Sequence, residues 1–141
     1  MMARAESPAS SLPARQRVVI PGVLGERPRA LRFIIGVCRA HGLPSDVEEA
    51  LVSAFGEAFN QAVCHSYARI DGTLAVEVVV ARDRVTVWLR DRGAGFDLAE
   101  CDEERRYGLF IMLRSMDEVR WWREGDENVA CLVKRIPNQT T

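Results

Sequence analysis

Lysine is almost missing from this sequence of 141 residues, because 18 of the 19 basic residues are arginine and only Lys134 is lysine. Two explanations stay open: a GC-rich coding genome, or arginines that bind phosphate or carboxylate groups in a bidentate way. An excess of one charge sign is also absent, since 20 acidic residues give a net charge of −1. Proteins that bind nucleic acid usually carry a basic excess, so this balance argues against direct nucleic-acid binding.

Long hydrophobic runs are missing as well. No stretch reaches the roughly 18 consecutive apolar residues that a membrane helix needs, and residues 1–16 lack the apolar segment of a secretory signal. The spacing of the four cysteines, at positions 38, 64, 101 and 131, fits no zinc-binding pattern. We therefore expect a cytoplasmic protein with free thiols and no membrane contact.

Length and composition favour one folded domain. The chain is 48% hydrophobic and 28% charged, an ordinary globular mixture. Residues 1–16 are rich in Ser, Pro and Ala and are predicted to form a flexible N-terminal tail, and residues 137–141 a polar C-terminal tail. Residues 17–136 between them are the predicted domain.

Hydrophobic periodicity predicts the order strand, two helices, two strands, helix, two strands. The expected strands cover residues 17–20, 74–80, 85–89, 119–122 and 129–136, and the expected helices cover residues 27–41, 45–67 and 108–115. Helices grouped on one face of a mostly antiparallel, mixed sheet would give an α+β protein, a two-layer α/β sandwich. Trp121 and Trp122 should point to opposite faces of their strand, with one of them and Trp88 on the open face as a candidate partner surface.

Three segments carry polar residues and glycines suited to ligand binding. Glu57, Asn60 and Gln61 are three or four residues apart and share the polar flank of the second helix. The segment DRGAG (91–95) follows a strand, where glycines permit a sharp turn and close approach of a ligand. Gly108 is expected to open the third helix, whose free N–H groups could bind phosphate. Taken singly, each segment also has an ordinary structural explanation: a solvated helix flank, a turn and a helix start.

In this order and spacing, the three segments resemble the Bergerat-fold ATPases. The resemblance covers residues 17–136 and is strongest toward the anti-sigma-factor serine kinases of bacterial partner-switching systems, particularly in GLFIMLRSMDEV (108–119). It implies the Bergerat ATP-binding fold, with ATP and Mg²⁺ as cofactors. It also implies a protein-serine kinase that binds a sigma factor or regulator and phosphorylates a STAS-type antagonist. A homodimer is compatible with the resemblance.

The resemblance also assigns roles to the candidate residues. Glu57 would be the general base that activates the attacking hydroxyl. Asp91 would accept a hydrogen bond from the adenine amino group, with a turn-capping role as the structural alternative. The other nucleotide-binding candidates are Gly93, Gly95, Arg106, Gly108, Leu109 and Asn128, and the candidate magnesium ligands are Gln61 and Asn60.

The sequence departs from the family pattern at three places. Gln61 stands where the family has its magnesium-binding Asn, so either Asn60 or Gln61 supplies an amide oxygen or the metal site is weakened. Arg106 replaces the first glycine of the phosphate loop, and Arg105 and Arg106 either pair with phosphate or are exposed lid charges. Asn128 is the only polar replacement for a hydroxyl in the last hairpin.

Two alternative functions follow from these departures and from the limits of the resemblance. The first is a non-catalytic partner-switching module with a degenerate nucleotide site. The second is a detached histidine-kinase catalytic domain, which the sequence favours less because it shows no dimerisation helix or phospho-acceptor segment.

Overall fold

The computed structural model describes residues 12–64, 72–93 and 103–137. This part of the chain forms five strands and three helices, and a short 3₁₀ turn at Leu24–Glu26 precedes the first helix. In chain order they are β1 (Ala14–Pro21), α1 (Arg27–Ala40), α2 (Ser45–Cys64), β2 (Thr73–Val80), β3 (Arg84–Asp91), α3 (Glu103–Ser115), β4 (Glu118–Glu124) and β5 (Glu127–Arg135).

The strands form one sheet in the order β1-β2-β3-β5-β4. All four pairings are antiparallel, so the predicted mixed character of the sheet is wrong for these strands. The reason is the path of the chain after β3: α3 crosses to the sheet edge, β4 runs along that edge, and a turn at Gly125 (φ 60°) inserts β5 beside β3. The predicted two-layer α+β architecture is confirmed, with α1 on β1, α2 on β3 and β5, and α3 on β4.

Alternating residues of the central strands form the floor of the core. The face of β2 and β3 under the helices buries Leu74, Val76, Val78, Val80, Val85, Val87 and Leu89. From the other layer, α2 buries Phe55 and Phe59, whose ring centroids lie 6.3 Å apart. Full burial of a side chain of this size contributes roughly 1.5–3 kcal/mol. The two rings therefore fix α2, the helix that carries Glu57, over the centre of the sheet.

Near the candidate site, the predicted end of α2 falls beyond the described residues, and the start of α3 differs from the prediction. The structure gives α2 as far as Cys64, and the predicted last turn with His65 lies outside the described residues. In the second case, α3 begins at Glu103 and not at Gly108. The run Glu103–Arg106 lacks apolar periodicity, but Glu and Arg are good helix formers and acidic residues in a first turn complement the helix dipole.

The two neighbouring tryptophans point to opposite faces, as predicted. Trp121 packs against the hydrophobic core on the helix side of the sheet. Trp122 lies on the open side, where its Nε1 donates a hydrogen bond to Glu124 at 3.2 Å. Trp88 shares that open side, and both side chains are half-buried. No helix among the described residues is long and apolar enough to cross a bilayer.

Candidate active site

Asp91 ends β3 on the face of the sheet that the helices cover. It continues the alternation of Val87 and Leu89 and is only 9% exposed. The backbone N–H of Gly93 donates a hydrogen bond to Asp91 Oδ1 at 2.6 Å, which closes a tight turn after the strand. Asp91 therefore caps a turn, the structural alternative that the sequence left open, and this cap uses one carboxylate oxygen. Gly95 lies outside the described residues.

Asn128 and Arg123 lie in the same row across the sheet as Asp91. The strand register pairs Asn128 with Asp91 on one side and with Arg123 on the other. Asn128 Nδ2 donates to Asp91 Oδ1 at 3.0 Å. Arg123 Nη1 donates to Asn128 Oδ1 at 2.7 Å and to the Gly93 carbonyl at 2.9 Å. Sequence reasoning missed Arg123, because one arginine in an arginine-rich chain has no distinguishing signal until the register is known.

Glu57 lies where α2 packs against α3. A Cβ added at Gly108 would lie 2.5 Å from Glu57 Oε1 and 3.7 Å from Gln61 Nε2, so both polar side chains face the Gly108 backbone. Glu57 and Asn60 are half-buried, whereas Gln61 is 7% exposed. The fold thus brings two of the three sequence-predicted segments into contact.

The position of Gly108 inside α3 corrects the prediction that this glycine opens the helix. The N–H groups without intrahelical partners belong to the turn that begins at Glu103. Leu109 points into the core and is 6% exposed, and Arg106 is exposed. The phosphate-binding roles of Arg106, Gly108 and Leu109 stay predictions. The side chain of Arg105 is outside the described part of the structure.

A second helical glycine, Gly56, lets an arginine approach the Glu57 turn. Arg27 is the first residue of α1, and its Nη2 occupies space that a Cβ at Gly56 would need. Its Nε lies 3.4 Å from the Gly56 carbonyl oxygen. The absence of a side chain at Gly56 therefore leaves room for a guanidinium group against the residue before Glu57.

The donor set on α2 fits a magnesium ion, because Glu57, Asn60 and Gln61 offer one carboxylate and two amide oxygens, the ligand type that Mg²⁺ prefers. Gln61 Oε1 is buried and accepts no hydrogen bond from the described residues, although the residue makes another polar interaction. Within residues 12–64, 72–93 and 103–137, no group of three or more His, Cys, Asp or Glu could hold a metal. Magnesium demands near-octahedral coordination, so an ion bound by these three side chains would take its remaining ligands from outside this set, such as water or phosphate.

Comparison with known proteins gives one family. Residues 24–134 match the model of the histidine kinase-like ATPase domain. The chain is 26% identical over 144 aligned positions to the serine-protein kinase RsbW of Listeria monocytogenes serotype 4a, covering 91% of this chain and 85% of that protein. RsbW of serovar 1/2a gives the same values.

A solved structure shares the fold. The crystal structure of the RsbU and RsbW domains of Rv1364c from Mycobacterium tuberculosis matches with a TM-score of 0.71 and 18% sequence identity. The match covers 87% of this chain and 32% of that one, so the likeness concerns about a third of the larger protein.

Proposed function

Because the chain belongs to the histidine kinase-like ATPase family, we propose that it is an ATP-dependent protein-serine kinase of the partner-switching type. It holds a sigma factor or another regulator in one state. In the other state it phosphorylates a serine of a STAS-type antagonist in the cytoplasm. The order of the three sequence segments and the 26% identity to proteins named serine-protein kinase RsbW support this proposal.

The contact between Glu57 and Gly108 is the observation that carries the proposal. These residues come from different segments of the motif, yet the Glu57 carboxylate faces the Gly108 backbone. A general base must reach the nucleophile directly or through one water. In the proposed reaction the serine oxygen bonds to the γ-phosphorus of ATP, the bond to the β–γ bridging oxygen breaks, and ADP leaves. Glu57 takes the proton of the serine hydroxyl.

In this proposal, residues at the end of β3 recognise the adenine ring of ATP. Asp91 accepts a hydrogen bond from the adenine amino group, since its carboxylate lies at a sheet end beside a glycine-containing turn. Gly93, Gly95 and Asn128 border the base. Around α3, the residues that meet the phosphates are Arg106, Gly108 and Leu109.

Gln61 and Asn60 hold magnesium in the same proposal. The ion, when bound, neutralises negative charge on the phosphate oxygens. Both amides stand on a helix that buries Phe55 and Phe59, so the helix holds them in a fixed position relative to Glu57. Gln is one methylene longer than the Asn of the family pattern, and the longer side chain places the amide oxygen further from the helix axis.

Phosphorylation switches the partners through charge. A phosphoserine adds about −1.5 to −2 charge at neutral pH, which disrupts an interface that was formed around a neutral hydroxyl. Release of the phosphorylated antagonist then leaves this protein free to bind its sigma factor or regulator.

The proposal is tested by transfer of labelled γ-phosphate from ATP to the cognate antagonist. Glu57→Gln removes the base but keeps the side-chain size, and the rate of labelling should fall by about 10²-fold or more. Glu49→Gln is the matched control, because Glu49 is an exposed residue of the same helix. Equal labelling by wild type and Glu57→Gln would show that Glu57 is not the base.

A second candidate function is a non-catalytic partner-switching module. The helical state of residues 103–108 favours it, since this segment forms a helix and not the phosphate loop of the family pattern. Such a module would bind its antagonist equally well with and without adenine nucleotide. Analytical ultracentrifugation of the two proteins with and without ADP distinguishes the candidates, because nucleotide-dependent assembly excludes the module.

A further inference from the structure

We infer that Arg123 is a positioning residue that sets purine selectivity by orienting Asn128 and, through it, Asp91. This inference rests on the proposed adenine-binding role of Asp91. Arg123 is in β4, at the edge of the sheet, and a single strand, β5, separates it from the end of β3. The three side chains nevertheless share one row on the helix-facing side of the sheet.

Arg123 determines which way the Asn128 amide points. An arginine side chain has only donors, whereas an asparagine amide has a donor end and an acceptor end. With Arg123 Nη1 at 2.7 Å, the Asn128 oxygen is held on the Arg123 side. The Asn128 nitrogen then points at Asp91 and donates to Oδ1 at 3.0 Å. The amide thus bridges a guanidinium and a carboxylate, with its dipole aligned between the two charges.

Arg123 also reaches Asp91 by a second route. The same Nη1 donates to the Gly93 carbonyl at 2.9 Å, and the Gly93 N–H donates to Asp91 Oδ1 at 2.6 Å. Arg92, which lies between Asp91 and Gly93 in the sequence, forms an ion pair with Asp126 of the β4–β5 turn at 3.7 Å. The turn after β3 is therefore tied to the terminal hairpin from both of its sides.

Both routes meet at one carboxylate oxygen. Among the described residues, the donors to Asp91 are Gly93 and Asn128, and both use Oδ1. Two donors on one oxygen fix the plane of the carboxylate, and Oδ2 is the oxygen that serves a ligand. A fixed acceptor favours a purine with an amino group at C6 and repels a purine with a carbonyl oxygen there. A carboxylate free to rotate could instead turn to the N1–H of a 6-oxopurine.

The test compares ADP with inosine diphosphate, which has a carbonyl in place of the adenine amino group. Both are diphosphates, so no phosphoryl transfer interferes with calorimetry. Wild type should prefer ADP by at least about tenfold, the equivalent of one well-formed charge-assisted hydrogen bond. Arg123→Met keeps the aliphatic stem but has no donors, and the preference should shrink to about threefold or less. Arg123→Lys keeps a donor and should restore part of the preference.

Arg120→Met is the matched control. Arg120 is on the same strand but on the open face, is 65% exposed at its side chain, and pairs with Glu118 at 3.4 Å. Its removal should leave both affinities unchanged. Asn128→Ala should also reduce the preference, but by no more than Arg123→Met, because the route from Arg123 through Gly93 remains in that variant. The double variant should lose no more than Arg123→Met alone, because Arg123 acts through Asn128 on the other route.

The ratio of the two affinities separates a positioning role from general damage to the fold, because general damage would weaken the binding of both nucleotides equally. An unchanged ratio in Arg123→Met and Asn128→Ala, with wild-type binding intact, would overturn the role of Arg123 and leave the proposed function standing. A loss of preference in Arg120→Met as large as in Arg123→Met would also overturn it. If wild type binds neither nucleotide, the proposed function itself is wrong and this inference is overturned with it.

Discussion

Replacing Gly108 by alanine separates the stability of α3 from the position of Glu57. In a helix interior, alanine is more favourable than glycine by about 0.8–1.0 kcal/mol. The new Cβ would lie 2.5 Å from Glu57 Oε1 and 3.5 Å from its Cδ. The carboxylate must therefore retreat by about 1 Å to reach ordinary contact, and leaving its preferred rotamer costs of order 0.5–1.5 kcal/mol. These effects nearly cancel, so the free energy of unfolding should change by an amount between about +0.5 and about −0.7 kcal/mol.

Activity should respond differently from stability. A displacement of about 1 Å in a catalytic group can reduce the rate about 10²-fold, so Gly108→Ala should transfer labelled phosphate far more slowly than wild type. Gly36→Ala is the matched control, because Gly36 is exposed in α1 and a Cβ there meets nothing within 4 Å. In that variant the free energy of unfolding should rise by about 1 kcal/mol and the melting temperature by about 3 °C, and the activity should be unchanged.

A double variant identifies the cause. In Glu57→Ala the carboxylate is gone, so adding Gly108→Ala should give the full helix-propensity gain of about 1 kcal/mol. The coupling free energy between the two sites should therefore be about 0.5–1.5 kcal/mol by denaturant titration. If Gly108→Ala stabilises the protein equally with and without Glu57, the two residues do not meet and the reasoning is refuted.

Three further predictions concern adenine recognition, magnesium binding and the cysteine thiols. Asp91→Asn should weaken ADP binding at least about tenfold by calorimetry, because hydrogen bonds to a charged group are roughly twice as strong as neutral ones. Gln61→Leu should abolish the increase in ADP affinity that magnesium gives, and leave magnesium-free binding unchanged. In the folded protein a thiol reagent should modify exposed Cys64 before buried Cys38 and Cys131. Burial raises the pKa of Cys38 from its ordinary value of 9.0 to about 11. The unfolded chain therefore loses this proton first, and the free energy of unfolding should fall between about pH 9 and pH 11.

The fold was largely predictable because each element buries one face. Alternation at 74–80 and 85–89 predicts the central hairpin, and the spacing of Val47, Leu51 and Phe55 predicts the buried face of α2. The start of α3 was not predictable from periodicity, since residues 103–106 are all charged and carry no apolar pattern. Helix propensity and the acidic first turn extend that helix, and both signals are weak in a charged segment.

The sequence names candidate site residues, whereas their geometry depends on the packing of the fold. The sequence places Glu57, Asp91 and Gly108 in suggestive segments, but the contact of Gly108 with Glu57 depends on how α3 packs on α2. Asn128 is a candidate from its position in the last hairpin. Arg123 becomes meaningful only through the register that puts it opposite Asn128, and register depends on the whole sheet.

The measurement that tests the central claim most directly is a calorimetric titration of the wild-type protein with ADP, with and without magnesium. The account predicts saturable binding at one site, with an affinity that rises when magnesium is present and falls when Asp91 is changed. The absence of binding at millimolar ADP, from a protein that is folded by circular dichroism, would contradict it.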